Sequence, residues 1–539
     1  MNAAAATSHF EAHFGSPDTR NLERRGVSGG LFTLGSQLIK LVLQIGAMAA
    51  LGRLLLPADF GIFGIVMGVA GIAALIQNLG LSAATIQRAT LTHREASGVF
   101  WINLTVSATL GLLLAAASPA IAWVFGEPKL VPVTLVVAFT FFTGGLTAQH
   151  EALLRRTMKF RMLAVIDVLC LMIALVAGIT AAIWLPGYWA PALQHLAFCV
   201  AYLFAVWAAV ARRGGWIPML PHTALRTKEQ GGGIKQLLRF GGNVTGFEVL
   251  NHMVRNSDNL LIGGFAGTAA LGFYTRAYGL LLQPLRQVTR PIAQVAVPGL
   301  SRLQDQPERY TRFYYGALEI ITLLTMPMVA ACFVFADDAV LTVLGPGWEP
   351  AAFLFRLLAI GAFVDTFNTA TGWAFISIGH VHKQLRWQLL ESVMTLLAFA
   401  VGAVVGSRAG VASWLGVEPI LGGAAGVAIA FSASRLLMRG PALMYCYRDT
   451  PLTLGRLGLT LMTPAFASLA AAAVLWLAPL PEAWASPMRL IVGLAAYSGL
   501  YGVLVLLTPR GRALAGMGLE KVRTRLSESR TAPLAKGAA

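Results

Sequence analysis

Two consecutive apolar stretches between Asn243 and Gln294 carry more polar and ionisable side chains than a lipid-facing helix tolerates. In the first, Glu248, Asn251, His252, Arg255, Asp258 and Asn259 recur at spacings of three and four, which stacks them on one helical face. In the second, Arg276, Gln283, Arg286, Gln287, Arg290 and Gln294 share a face, and Pro284 and Pro291 predict a kink. Buried ionisable groups face protein or water, so two polar faces imply a wet cavity inside a helix bundle. The alternative is that these charges pair with one another and only hold the bundle together.

The chemistry on offer is anion binding. A guanidinium donates planar, bidentate hydrogen bonds that match phosphate. Lys40, Arg255, Arg276, Arg286 and Arg290 form the candidate cationic set. Gln37, Lys40 and Gln44 share one face of the first apolar run, so Gln44 joins these as a candidate substrate-binding residue of the cavity. Lys40 lies near mid-membrane and faces either the cavity or a carboxylate such as Glu248 or Asp258. Glu248, Asp258 and Asp365 are the candidates for gating or proton coupling. Asp258 and Arg276 are expected to pair, because a short turn joins their helices. Further polar faces are Asp365, Asn368, Thr369 and Gly372; Gln388, Glu391, Ser392 and Thr395; and Gln77 with Asn78.

No catalytic constellation accompanies these groups. His380 and His382 form an H-x-H without further ligands, where a metal needs three or four. There is no G-x-x-x-x-G-K-[ST] loop, and the acids Asp59, Asp337, Asp338 and Glu349 make no acid–base pair. The sequence points to no enzyme, no metal and no cofactor.

The 539 residues are 56% hydrophobic and 12% charged, about half the charge of a soluble protein, so the fold class is an all-α polytopic membrane protein. Apolar runs of membrane length fall at 27–51, 60–80, 98–124, 130–150, 163–185, 190–211, 240–264, 271–297, 316–336, 351–377, 388–406, 420–445, 457–478 and 488–508. That is about fourteen transmembrane helices. The first run follows a polar tail and precedes many others, so it is read as a span and not as a cleaved signal. Cys170, Cys199, Cys332 and Cys446 sit in or beside spans and read as small buried thiols.

The net charge of +17 follows the positive-inside rule and does not indicate nucleic acid. With the N-terminus inside, the segments holding Arg155, Arg156, Lys159 and Arg161, or Arg212, Arg213, Arg226, Lys228, Lys235 and Arg239, are cytoplasmic. The outer loops then hold only Arg53, Lys129, Arg408 and Arg489. Both termini are expected in the cytoplasm.

The expected organisation is a cytoplasmic tail over 1–26, an N-lobe of six helices over 27–211 and a basic amphipathic cytoplasmic linker over 212–239. A pseudo-symmetric six-helix C-lobe over 240–446, a C-terminal helix pair over 457–508 and a basic tail over 509–539 follow. The linker and tail suit an anionic membrane surface, which makes lipids a partner. The lobes echo each other. Gly35-Ser36-Gln37 matches Gly241-Gly242-Asn243, and the segment Pro57–Phe63 matches Ala269–Tyr274, each at a helix start or at the turn into the next helix. Six helices separate the echoes, so the repeats run parallel, and sites of such folds lie between repeats.

The run Arg255-Asn256-Ser257-Asp258-Asn259-Leu260-Leu261-Ile262-Gly263, then Ala270-Leu271-Gly272-Phe273-Tyr274-Thr275-Arg276-Ala277-Tyr278, resembles the polysaccharide transporter family of the MOP flippase superfamily. Leu54-Leu55-Leu56-Pro57-Ala58-Asp59-Phe60-Gly61-Ile62-Phe63-Gly64 resembles its first-loop signature. The likeness covers Val27 to Arg448 and is nearest to Wzx-type lipopolysaccharide or exopolysaccharide exporters of the colanic-acid kind. Family members commonly have about twelve helices, and the final pair here resembles the layout of lipid II flippases. The resemblance implies a flippase moving polyprenyl-pyrophosphate-linked oligosaccharide across the bacterial inner membrane by alternating access, with a polysaccharide polymerase and other assembly proteins as possible partners. The competing readings are a membrane polymerase or ligase, a multidrug-type cation antiporter, and a non-transporting scaffold.

Overall fold

A computed structural model describes residue 14 and residues 22–77, 85–86, 91–224, 256–414, 416–448, 450–509 and 511–512. The described residues are predominantly helical, without a strand. The helices are α1 Leu22–Leu54, α2 Pro57–Gln77, α3 His93–Phe125, α4 Leu130–Arg156, α5 Phe160–Trp184 and α6 Trp189–Gly214. After a short turn of helix at Pro221–Ala224 come α7 Ser257–Phe265, α8 Gly267–Ser301, α9 Pro307–Val334, α10 Ala336–Val343 and α11 Glu349–Asp365. The chain continues through α12 Asn368–Ser377, α13 Val381–Gly406, α14 Ala409–Trp414, α15 Pro419–Tyr447, α16 Leu454–Leu477 and α17 Ser486–Leu507.

Among the described residues, twelve helices are long and apolar enough to cross a membrane. Most of the expected span at 240–264 lies outside the described residues, and the one at 271–297 is the 35-residue helix α8, too polar to count among the twelve. Large apolar side chains such as Leu112, Val176 and Leu437 are exposed on these helices, as a lipid-facing surface requires.

Local signals explain the ends. Thr92 caps α3 by accepting from the Glu95 amide, and the Glu95 carboxylate accepts from the Thr92 amide. Gly126 closes the same helix in the left-handed region, at φ 65°. The expected single helix over 351–377 is instead broken after Asp365, and the chain re-enters a helix at Asn368. Asp, Thr and Asn offer the backbone side-chain alternatives to the helical ladder, and Thr366 Oγ1 donates to the Phe363 carbonyl there.

The chain divides into two compact units. The first comprises Met1–Gln283, Val343–Leu354 and Gln388–Phe431; the second comprises Pro284–Thr342, Phe355–Trp387 and Ser432–Ala539. In the first unit α3 packs along α4, α5 along α6, α4 along α6, α1 along α5 and α2 along α4. In the second, α9 packs along α16 and α16 along α17. The second unit's core is rich in tyrosine: Tyr314 Oη lies 3.1 Å from Tyr447 Oη, and Tyr310 Oη lies 2.7 Å from Ser377 Oγ.

The two echoing segments meet inside the first unit. A methyl group added at Gly61 would run into the Thr268 carbonyl, and one added at Gly272 would run into the Pro57 carbonyl. Pro57 precedes Gly61 by four residues, as Thr268 precedes Gly272, so the contact is reciprocal about a local two-fold. Trp348 seats against both segments, 5.6 Å from Phe60 and 5.6 Å from Phe273, while its Nε1 donates to the Gly52 carbonyl at 2.7 Å. A second reciprocal pairing sets Gly402 against Gly426 and Gly406 against Gly422. Small residues at such crossings let backbones approach closely.

Gly61→Ala and Gly272→Ala are each expected to cost about 1–3 kcal/mol or more by overpacking. Thermal unfolding in detergent checks this, with Gly455→Ala, whose Cβ would enter open space, as the control that stays near wild type.

Candidate functional site

A cavity of about 280 Å³ lies within the first unit. Its floor is one face of α4, where Thr143, Gly144, Thr147, Ala148, Glu151, Ala152 and Arg155 recur at helical spacing. Gln77 from the end of α2 and Phe198, Cys199 and Tyr202 from α6 close it. Gly144 keeps it open, since a Cβ there would lie 2.5 Å from Gln77 Nε2. Gln77 is anchored by that same nitrogen, which donates to Ser107 Oγ at 3.0 Å and to the Phe141 carbonyl at 2.9 Å.

The charges of the cavity are matched. Arg155 Nε donates to Glu151 Oε1 at 2.7 Å, one helical turn apart. Tyr202 stands beside Glu151, and its ring stacks on Phe198 with centroids 5.7 Å apart and planes 12° from parallel. Asp167 on α5 lies within electrostatic reach of both Arg155 and Tyr202. Arg156, in a segment expected on the cytoplasmic side, is 2% exposed, and its guanidinium donates to the carbonyls of Phe14 and Thr85 at 2.9 and 3.0 Å.

Lys40 does have a carboxylate partner, Asp167, and it is not Asp258; Glu248 lies outside the described residues. The side chains are 18% and 30% exposed. Sequence reading passed over Asp167, although it is the one acid in the apolar run at 163–185. Gln44 sits half-buried one turn from Lys40.

The Asp258–Arg276 pair does not form. Asp258 is buried on α7, where its Oδ2 accepts from the Tyr274 hydroxyl at 2.9 Å and its Oδ1 from the Asn259 amide at 2.8 Å. Arg276 lies instead over the Phe60 ring, 4.0 Å from its centroid, a cation–π contact that burial strengthens. Two residues apart on α8, Tyr274 and Arg276 point about 200° apart, so one meets the acid and the other the aromatic face. Glu248 and Arg255 lie outside the described residues.

Arg286, Arg290 and Asp365 belong to the second unit, and Arg276 to the first. Arg286, Arg290 and Gln294 form an exposed stripe at four-residue spacing on α8, among Pro284, Pro291 and Pro298. Asp365 faces Arg439 Nη2 at 3.0 Å, and Arg439 also donates to Asn368 Oδ1. Arg439 is 4% exposed, so one buried guanidinium spans both sides of the break between α11 and α12. Sequence reading missed Arg439, the second of two arginines in the span at 420–445. No group of three or more His, Cys, Asp or Glu side chains placed to hold a metal occurs among the described residues.

A family described as polysaccharide biosynthesis protein matches residues 50–353. The chain is 21% identical over 393 residues to the lipopolysaccharide biosynthesis protein WzxC of Escherichia coli (strain K12), covering 72% of this chain and 78% of that one. It is 25% identical over 375 residues to the succinoglycan biosynthesis transport protein ExoT of Rhizobium meliloti (strain 1021), covering 69% and 73%. In fold it is similar to a lipid II flippase MurJ in an inward closed conformation, at TM-score 0.65, 11% identity and coverage of 88% of this chain and 98% of that chain. It is also similar to an inward-facing multidrug resistance MATE family transporter of the MOP superfamily, at TM-score 0.58, 14% identity and coverage of 78% and 98%.

Removing one partner of a desolvated ion pair leaves an uncompensated charge, whereas replacing both is often neutral. Lys40→Met is therefore expected to destabilise by about 2 kcal/mol, discounted for partial exposure, and Lys40→Met with Asp167→Leu by less. Thermal unfolding of the two single variants and the double variant checks this.

Proposed function

Because the chain belongs to the polysaccharide biosynthesis protein family, we propose that it is a flippase, which moves polyprenyl-diphosphate-linked oligosaccharide repeat units across the bacterial inner membrane by alternating access. Its product feeds lipopolysaccharide or exopolysaccharide synthesis. The observation that carries this reading is the exposed stripe of Arg286, Arg290 and Gln294 on a proline-interrupted helix. Guanidinium groups held at membrane depth need water or an anion, and two forks one turn apart match a diphosphate. Lys40 and Arg276 are engaged by Asp167 and Phe60, which leaves Arg286 and Arg290 as the leading diphosphate ligands. The polyprenyl tail stays in lipid while the head group crosses. Asp258, held by Tyr274, and Asp365, held by Arg439, are the described acids for coupling and gating.

A cation antiporter would need carboxylates open to its substrate. Glu151, Asp167 and Asp365 each face a base. A polymerase or ligase would need acid–base groups on sizeable loops, whereas α1–α2, α3–α4 and α5–α6 are joined by only a few residues each.

In proteoliposomes loaded with a lipid-linked oligosaccharide, Arg286→Ala and Arg290→Ala are each expected to lower substrate affinity about tenfold or more, from the loss of a charge-assisted contact worth about 1.5–3 kcal/mol. Wild-type translocation in both variants at normal protein levels would overturn the assignment.

We place both termini and the linker at 212–239 in the cytoplasm on the distribution of Lys and Arg. Single cysteines introduced there should react with impermeant thiol reagents only after the cells are opened; labelling of intact cells at the linker would overturn the topology.

A further inference from the structure

We propose that the cavity bounded by Gln77, Glu151, Arg155 and Tyr202 is a subsite for one neutral sugar ring of the transported glycan, an inference that rests on the flippase reading. Size is the first ground. A half-open cavity of about 280 Å³ has room for one pyranose ring.

Charge is the second ground. Glu151 balances Arg155 and Asp167 balances Lys40, so the cavity carries no net charge from these groups. Among the described residues of its lining, a diphosphate or a cation would find no uncompensated charge to bind, and a neutral ligand meets no such penalty.

Hydrogen-bonding chemistry is the third. A sugar hydroxyl both donates and accepts, so its site must offer both. The Glu151 carboxylate accepts and the Arg155 fork donates, while the Tyr202 hydroxyl, whose hydrogen goes to Glu151, keeps lone pairs that accept. The Gln77 amide is fixed through its nitrogen, which leaves the oxygen of this lining residue as an acceptor. Thr143 and Thr147 commit their hydrogens to the carbonyls of Thr140 and Thr143, both at 2.8 Å, and keep lone pairs for a ligand. The parallel rings of Phe198 and Tyr202 supply the apolar wall on which a pyranose C–H face rests. Arg155 is 49% exposed, so this ring is reachable from outside the helix bundle.

The test uses purified full-length protein in nanodiscs and two kinds of probe. One is farnesyl diphosphate. The other is farnesyl diphosphate bearing one glucose, galactose or N-acetylglucosamine. At least one sugar-bearing probe is expected to bind about tenfold more tightly than the sugar-free one, the worth of one charge-assisted hydrogen bond. Gly144→Val, which fills the cavity, and Glu151→Gln should bring that ratio close to one. Tyr202→Phe, which preserves packing, should lower it several-fold.

If farnesyl diphosphate binds but no sugar improves binding, the subsite is wrong and the flippase reading stands. If neither probe binds, the diphosphate reading falls and takes this one with it. An unchanged ratio in Glu151→Gln and Tyr202→Phe overturns the assignment even where Gly144→Val misfolds. So does a Glu151→Gln variant whose only change is a lost dependence of transport on sodium or pH, because the cavity would then serve a cation.

Discussion

The first unit depends on one close approach, the crossing in which Gly61 meets Thr268 and Gly272 meets Pro57. In lipid there is no hydrophobic drive to bring two apolar helices together, so association rests on contact at short range. Each glycine removes the one atom that would hold the backbones apart, and the reciprocal geometry repeats the contact on both sides of the crossing. Trp348 then covers the junction by packing against Phe60 and Phe273 and donating to the Gly52 carbonyl. Phe60 is also the surface beneath Arg276, so the packing of the junction places a charged group as well.

The other governing constraint is the high free energy of an isolated charge in a low-dielectric interior. The protein meets it in three ways. Lys40 and Asp167, Glu151 and Arg155, and Asp365 and Arg439 neutralise each other as ion pairs. Arg276 leans on an aromatic face, and Arg156 is surrounded by backbone carbonyls. Arg286 and Arg290 follow none of these routes and stay exposed. That contrast sets the charges that organise the helices apart from Arg286 and Arg290, the diphosphate ligands we propose. It also gives the cavity beside α4 its character, because Glu151 and Arg155 in its wall already balance each other.

The break between Asp365 and Asn368 shows how the two constraints meet. An interrupted helix inside a membrane leaves backbone groups without their usual partners, which is tolerated where protein surrounds them. Here a buried arginine from α15 grips the side chains on both sides of the gap. The residues that weaken the helix locally are the ones that recruit the arginine.

Class, span positions and the polar character of α8 were legible in the sequence, because hydropathy, helix period and the length needed to cross a bilayer are properties of short contiguous segments. The expected runs at 130–150 and 163–185 became α4 and α5 with ends displaced by only a few residues. The family resemblance was legible for the same reason, being carried by two short signatures. Which charge answers which was not. Lys40 and Asp167 are 127 residues apart, and any of several acids was equally available to that lysine on paper. The Asp258–Arg276 expectation failed because proximity along the chain fixes neither helix rotation nor depth, and Tyr274 and Arg276, two residues apart, lie on nearly opposite faces of α8. Nor did local pattern reveal the cavity beside α4, whose walls come from three helices and whose opening depends on a missing Cβ at Gly144. Side-chain type and spacing are local and readable; the partner of a side chain is set by how helices distant in sequence rotate and pack, and only the tertiary structure decided that.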